Sequence, residues 1–279
     1  MLPININIGF LNLPNYEGVY FLIAFLSGII YFSILCKENK LDLEVMYEAA
    51  FLSIIIGVVC GRLFSLIFWD TKAFFHNPLI LFQIWQGGIS VTGVVGGLIT
   101  AFIYFKIKKL NFFYHMQFVV PSIILAQIIG RNGCFLNGDA SGIPTNMPWG
   151  VVFNPKSVAY MTMDYAPGTP LHPTQLYEIF LNILLFLFVI LTGNNEWITK
   201  RRIVWYAIGY GIIRFVVEFF RNDTGRWEWL PIFSTAQLIS LVGIITGLAV
   251  LVWSLIYPDK LEVKEENIAR LKEKKNIKT

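Results

Sequence analysis

Residues 112–145 read FFYHMQFVVPSIILAQIIGRNGCFLNGDASGIPT. Residues 112–130 are almost wholly apolar, and a helix needs roughly 20 such residues to cross a bilayer. Directly after them stand Arg131, Asn132, Asn137 and Asp139, punctuated by Gly130, Gly133, Gly138 and Gly142. Charge and amide groups at the mouth of a membrane helix are costly unless they have a task there. This stretch therefore places the chain in the membrane class and marks a functional wall.

The composition agrees. Of 279 residues, 56 % are apolar and 14 % charged, and the mean hydropathy is +0.61. Soluble domains carry about 25 % charged residues. The 24 phenylalanines and 8 tryptophans suit lipid and its interface. The N-terminus has no basic segment before a short apolar one, so no cleavable signal peptide is expected. Cys36, Cys60 and Cys134 form no C-x-x-C and do not pair off, which suggests neither a disulfide framework nor a metal site. No Walker loop or dinucleotide fingerprint occurs, so phosphate chemistry driven by nucleotides is not expected. The expectation is also of no cofactor and no nucleic-acid partner.

Seven segments approach spanning length, at about 18–36, 46–68, 87–105, 112–130, 175–193, 203–220 and 236–257. The run NPLILFQIW (77–85) is too short and reads as an interfacial or re-entrant piece. Grouping alternate loops puts 15 Lys and Arg on one side and 5 on the other, with Arg62 and Arg214 inside helices. The positive-inside rule then puts the C-terminus in the cytoplasm and the N-terminus outside. The expected fold is all-α with seven transmembrane helices in one polytopic domain over 1–279. An extracytoplasmic insertion is expected over 131–172, and a charged cytoplasmic tail over 258–279.

This orientation sorts the polar residues by depth. Arg62, Ser90, Arg131, His172, Tyr177, Glu178, Arg214, Glu218 and Arg221 all fall in the outer leaflet or just above it. Scattered structural residues would not sort so. Arg214, Glu218 and Arg221 stand at i, i+4 and i+7 and make one helical stripe. A self-neutralising Arg214–Glu218 pair is an equally good account of those two alone. With Arg131 and Arg62 added, positive charge is left over, and guanidinium forks suit phosphate, so a phospholipid headgroup is the natural ligand. Gly93, Gly96 and Gly97 read as helix-packing residues. Gly130, Gly133, Gly138 and Gly142 read as backbone turns that aim amides into a site. Pro173 suits a first helical turn and leaves His172 at the helix mouth. His76 and His115 read as structural.

Five stretches carry a family resemblance: GVVCGRLFSLIF (57–68), WQGGISVTGVVGG (85–97), GRNGCFLNGDASG (130–142), HPTQLYE (172–178) and GIIRFVVEFFRND (211–223). TAQLISL (235–241) is a weaker sixth. Together they resemble prolipoprotein diacylglyceryl transferase, a bacterial plasma (inner) membrane enzyme with seven helices. The resemblance implies transfer of the diacylglyceryl group of phosphatidylglycerol to the lipobox cysteine of a signal-peptide-bearing prolipoprotein. The products would be a thioether and glycerol phosphate, made at the outer leaflet. By position it implies catalytic roles for Arg131, Arg214, Glu218 and His172. It implies lipid binding by Arg131, Arg214, Arg221, Arg62, Asn137, Asp139, Gly142, Ser90, Tyr177 and Glu178. A monomer is the expectation. Cys134, Thr92 and Gln117 depart from residues common in the family, as does Asp139, which stands where a glutamate is frequent.

The chemistry suits these residues. Arginines would stabilise the phosphate dianion that develops as the thiolate attacks. Glu218, His172, Glu178 and Asp139 are all candidates for the thiol's base. A transporter or channel for an anionic solute is the rival, as is a related lipid transferase with another acceptor. A conduction path would need polar groups through the inner halves of the helices, where the sequence places almost none.

Overall fold

A computed structural model describes residues 6–8, 11–13, 16–68, 71–82, 92–161, 165–222, 226–227 and 230–257. The chain opens with an antiparallel ribbon, β1 (Ile6–Ile8) and β2 (Leu11–Leu13). Three helices follow, α1 (Tyr16–Glu38), α2 (Leu43–Phe68) and α3 (Thr71–His76), then a 3-10 turn at Pro78–Phe82. Next come α4 (Thr92–Ile107), α5 (Phe112–Asn137), the single turn α6 (Val158–Met161), α7 (Thr174–Leu191) and α8 (Glu196–Thr199). Helix α9 (Arg202–Val217) precedes a second antiparallel ribbon, β3 (Arg226–Trp227) and β4 (Leu230–Ser234), and α10 (Thr235–Ile256) ends the described chain.

Among the described residues six helices are long and apolar enough to cross a membrane: α1, α2, α5, α7, α10, and α9 with the 3-10 turn Glu218–Phe220 that continues it. Their outer faces carry exposed large apolar residues, such as Phe21, Phe25 and Ile29 on α1 and Val242, Ile245 and Val252 on α10. Faces of that size do not persist in water but suit hydrocarbon. The protein is a multi-pass membrane protein. The expected third span, 87–105, is represented by α4, whose apolar part is the 15 residues of Gly93–Ile107. Residues 83–91, which include Ser90, lie outside the described residues, as does the tail 258–279.

The described residues form two compact units, one of 35–115 and the other of those before 35 with 116–257. In the first, α2 packs on α4. A Cβ on Gly57 would stand 2.9 Å from Gly93 O, and one on Gly97 would stand 3.0 Å from Ser53 O, so small residues permit the close approach. His115 stacks on Phe105 with 4.8 Å between ring centroids, in a structural role.

In the second unit α5, α7, α9 and α10 alternate in direction. The end of α5, start of α7, end of α9 and start of α10 meet at one end, here the head end, through the ion pairs described below. The starts of α5 and α9 and the ends of α7 and α10 meet at the other, through Arg202 and Arg201. α1 runs antiparallel to α5, since Phe21 approaches Gly130 while Gly28 approaches Ala126. Between α5 and α7 the chain folds into a small head whose core is Phe153, Ala159, Tyr160 and Leu171, sealed by Phe135, Val151 and Tyr165.

Two expectations need correction. Gly130 and Gly133 do not make turns, because α5 continues through both to Asn137. Polar groups are also buried toward the opposite end, among them Gln117, Asn182, Arg201 and Arg202. The two arginines are bound to backbone carbonyls and so lie within helix packing.

Candidate active site

Helix α5 brings Arg131 to the head end, where Gly138 stops it. Gly138 has φ +84°, and the amides of Gly138 and Asp139 both return to Cys134 O, at 2.9 and 3.0 Å. That is a left-handed helix cap, for which glycine is best suited. Helix α7 starts just after Pro173, which sits at the cap position, and it buries the stripe Glu178, Asn182, Leu185 and Val189. A carboxylate can lie in such a stripe only if its charge is met.

It is met twice. Glu178 Oε2 pairs with Arg131 Nε, and Oε1 accepts from Arg214 Nη1 at 2.8 Å. Arg214 Nη2 reaches Glu218 Oε2 at 2.8 Å, and Arg221 Nε lies 3.6 Å from that oxygen. Arg131, Glu178, Arg214, Glu218 and Arg221 thus form a line of alternating sign with a cation at each end, and one positive charge is left over. Glu178 is 1 % exposed at its side chain while Arg131 is 23 % exposed, so Arg131 is the guanidinium offered outward.

Glu218 is held from α10. Ser234 Oγ donates to Glu218 Oε1 at 2.7 Å and accepts from Gln237 N at 3.1 Å, while Ser234 N donates to Gln237 Oε1 at 2.9 Å. The capping box of α10 is therefore also a brace for the carboxylate.

Beside this line lies an aromatic cluster. Trp149 Nε1 donates to Tyr177 Oη at 2.8 Å, and Tyr177 Oη shares a hydrogen bond with His172 Nδ1 at 2.9 Å. The Phe220 ring packs on His172 with 5.2 Å between centroids. Burial pushes the His172 imidazole below its ordinary pKa of 6.5, so it is neutral at pH 7.

Gly142 stitches the two groups together. Its amide donates to His172 O at 2.9 Å, Ile143 N donates to Phe220 O at 2.9 Å, and Gly142 bridges to Arg221. A Cβ at 142 would stand 2.5 Å from both His172 Cβ and Phe220 O, leaving no room for a side chain. Asn137 Nδ2 donates to Asp139 Oδ2 at 2.6 Å, and Gln175 Nε2 donates to Asp139 O at 2.6 Å.

Of the residues expected from sequence, Arg131, Glu178, Arg214, Glu218 and Arg221 share one ion-pair line. His172, Tyr177 and Gly142 adjoin it, and Asn137 and Asp139 flank the start of α7. Arg62 belongs to the other unit, where it is buried and its Nη2 donates to Ile80 O at 3.4 Å. Ser90 lies outside the described residues. Sequence reasoning passed over Trp149, Phe220, Gln175 and Ser234. Gln175 and Phe220 lie inside the quoted stretches HPTQLYE and GIIRFVVEFFRND, and Ser234 opens the S-x-x-Q of a capping box before an apolar run.

The family model described as prolipoprotein diacylglyceryl transferase matches residues 3–253. Similar proteins include the phosphatidylglycerol–prolipoprotein diacylglyceryl transferase of Fusobacterium nucleatum, 32 % identical over 257 residues, covering 80 % of this chain and 88 % of that one. The Clostridium tetani protein of the same name is 34 % identical over 235 residues, 84 % of this chain and 90 % of its own. That of Pseudomonas syringae pv. syringae is 36 % identical over 203 residues, 70 % of this chain and 71 % of its own.

Proposed function

The chain belongs to the prolipoprotein diacylglyceryl transferase family, and we propose that Arg131 and Arg214 hold the phosphate of phosphatidylglycerol while its neighbouring glyceryl carbon is attacked. The enzyme transfers the diacylglyceryl group to the lipobox cysteine of a prolipoprotein. The cysteine sulfur forms a bond to the glyceryl carbon, and the bond from that carbon to the phosphate oxygen breaks. Glycerol phosphate leaves with the electron pair, and the thiol proton goes to a base.

The observation that carries this reading is the sharing of one buried carboxylate, Glu178, by guanidinium groups from two different helices, with positive charge to spare. Salt-bridged guanidiniums are preorganised donors, and in a low-dielectric site they stabilise the developing dianion without reorganising. Glu178 and Glu218 act as positioning residues, because their oxygens are already engaged, in ion pairs with arginines and, at Glu218 Oε1, by the Ser234 hydroxyl. Asp139 is likewise engaged, its Oδ2 accepting from Asn137 Nδ2, and His172 is assigned as the base. In the tautomer in which Nδ1–H donates to Tyr177 Oη, the unprotonated Nε2 takes the thiol proton. Arg221, Asn137, Asp139, Gly142 and Tyr177 shape the lipid site around them. The site faces the outer leaflet of the bacterial plasma membrane in a seven-span monomer with its N-terminus outside.

The test uses purified protein, phosphatidylglycerol labelled in its diacylglyceryl part and a peptide bearing a lipobox cysteine. Label should pass to the peptide and fail to pass when serine replaces the cysteine. Arg131→Ala and Arg214→Ala should each slow transfer by about 100-fold or more. Normal rates in both variants would refute the phosphate assignment. No transfer by the wild type, with an active relative as control, would refute the reaction.

A further inference from the structure

Helices α5, α7 and α9 are tied at both ends. At the head end Glu178 on α7 joins Arg131 on α5 to Arg214 on α9. At the opposite end Arg202, the buried first residue of α9, reaches the same two partners. Its Nη1 donates to Gln117 O on α5 and its Nη2 to Val189 O on α7, each at 3.2 Å.

Both acceptors lack a donor within their own helices. Pro121 lies inside α5 and has no N–H to give to Gln117 O four residues back. At the end of α7, Gly193 N turns to Ile190 O at 3.0 Å and so does not serve Val189 O. Among the described residues no carboxylate lies within salt-bridge distance of Arg202. A buried cation without a counter-charge is costly, and ion pairing does not account for this one. What it does is supply the donor that Pro121 removes. Arg202 stands twelve residues before Arg214, about 18 Å along the helix at 1.5 Å per residue, and so cannot touch the reacting atoms.

We propose that Arg202 is a positioning residue for the transfer reaction. Its guanidinium clamps the proline break of α5 to the ends of α7 and α9, and thereby sets where α5 delivers Arg131 relative to Glu178 and Arg214. The proposal rests on the reading of those arginines as phosphate holders. Without the clamp, α5 is free to bend at Pro121, and misplacement of a catalytic group by about 1 Å costs up to about 100-fold in rate.

The test compares wild type, Arg202→Met, Arg202→Lys, Pro121→Ala and the double variant Pro121→Ala/Arg202→Met. Two readouts are taken: the thermal unfolding midpoint in detergent, and kcat and KM for phosphatidylglycerol at a temperature where every variant is folded. Arg202→Met should lower kcat about tenfold with KM changed less than about twofold, the pattern of a lost transition-state alignment. In the Pro121→Ala background, residue 121 again gives Gln117 O an N–H, so the same substitution should cost less in both kcat and midpoint. Arg202→Lys should recover part of kcat. Equal costs in the two backgrounds, or a lower midpoint with unchanged kcat, would overturn the proposal. Should Arg202→Met fail to fold while the double variant folds, that rescue supports the clamp. A wild type without transfer would defeat the reading of the site, while an absence of coupling between 121 and 202 in the unfolding midpoint would defeat the clamp by itself.

Discussion

Glu178 carries more of the site than its place in HPTQLYE foretells. Arg214–Glu218 is an i,i+4 pair and can be read along one helix, whereas Arg214–Glu178 joins positions 36 apart. Glu178→Gln keeps the shape but removes the shared charge, leaving two guanidiniums facing an amide. Breaking a buried pair costs about 3–5 kcal/mol. The variant should therefore melt earlier and transfer label at least about 100-fold more slowly, as calorimetry and the labelled-lipid assay would register. Wild-type behaviour in both would mean that Glu178 does not position the arginines. His172 makes a separate prediction. Its folded pKa is depressed by burial, so the neutral imidazole persists below pH 6.5, and if it is the base, activity should fall only as the pH drops further. The unfolded chain binds that proton more readily, so His172 also costs stability as the pH falls through its unfolded value. In a kcat–pH profile the acid limb should lie below 6.5 for the wild type, and His172→Gln should lose the limb along with most of the activity. An unchanged limb in the variant would assign the base elsewhere.

At the scale of elements, the ends of helices decide what the site contains. The glycines at 130 and 133 suggested a break, yet α5 runs on to Asn137 and stops only where Gly138 turns to positive φ. Arg131 is consequently fixed on a helix, which holds a side chain more precisely than a loop does. Helix α9 tightens into a 3-10 turn at Glu218, and Arg221 leaves the helix in an extended conformation to bridge Gly142. The expected stripe of Arg214, Glu218 and Arg221 thus survives as a set of contacts but not as one helical face. Gly142→Ala tests this join. Its Cβ would meet backbone and side chain at 2.5 Å, and overpacking of this kind costs about 1–3 kcal/mol. A lowered melting point with a matching loss of transfer is expected. A variant as stable and active as wild type would show that the three segments do not need this close approach.

Over the whole molecule, hydropathy and the distribution of basic residues predict which segments span and on which side the loops lie. The alternating directions of α5, α7, α9 and α10 fit that scheme. Sidedness itself is open to direct test with single added cysteines in right-side-out vesicles. Lys156→Cys, in the head, should react with a membrane-impermeant maleimide, and Lys200→Cys should react only after permeabilisation. The reverse pattern would invert the topology and put the site on the cytoplasmic face.

By itself the sequence determined the membrane class, most of the spans and which charged residues the apolar helices carry. Each of these follows from local physics, namely the length of apolar runs, the cost of charge in hydrocarbon and the spacing of a helix. Tertiary structure alone decided that Glu178 is shared by two arginines, that Ser234 braces Glu218 and that Arg202 answers a proline 81 positions away. A buried charge takes whichever partner packing brings within about 3 Å, and that partner lies on another helix, where no periodicity along the chain can point to it.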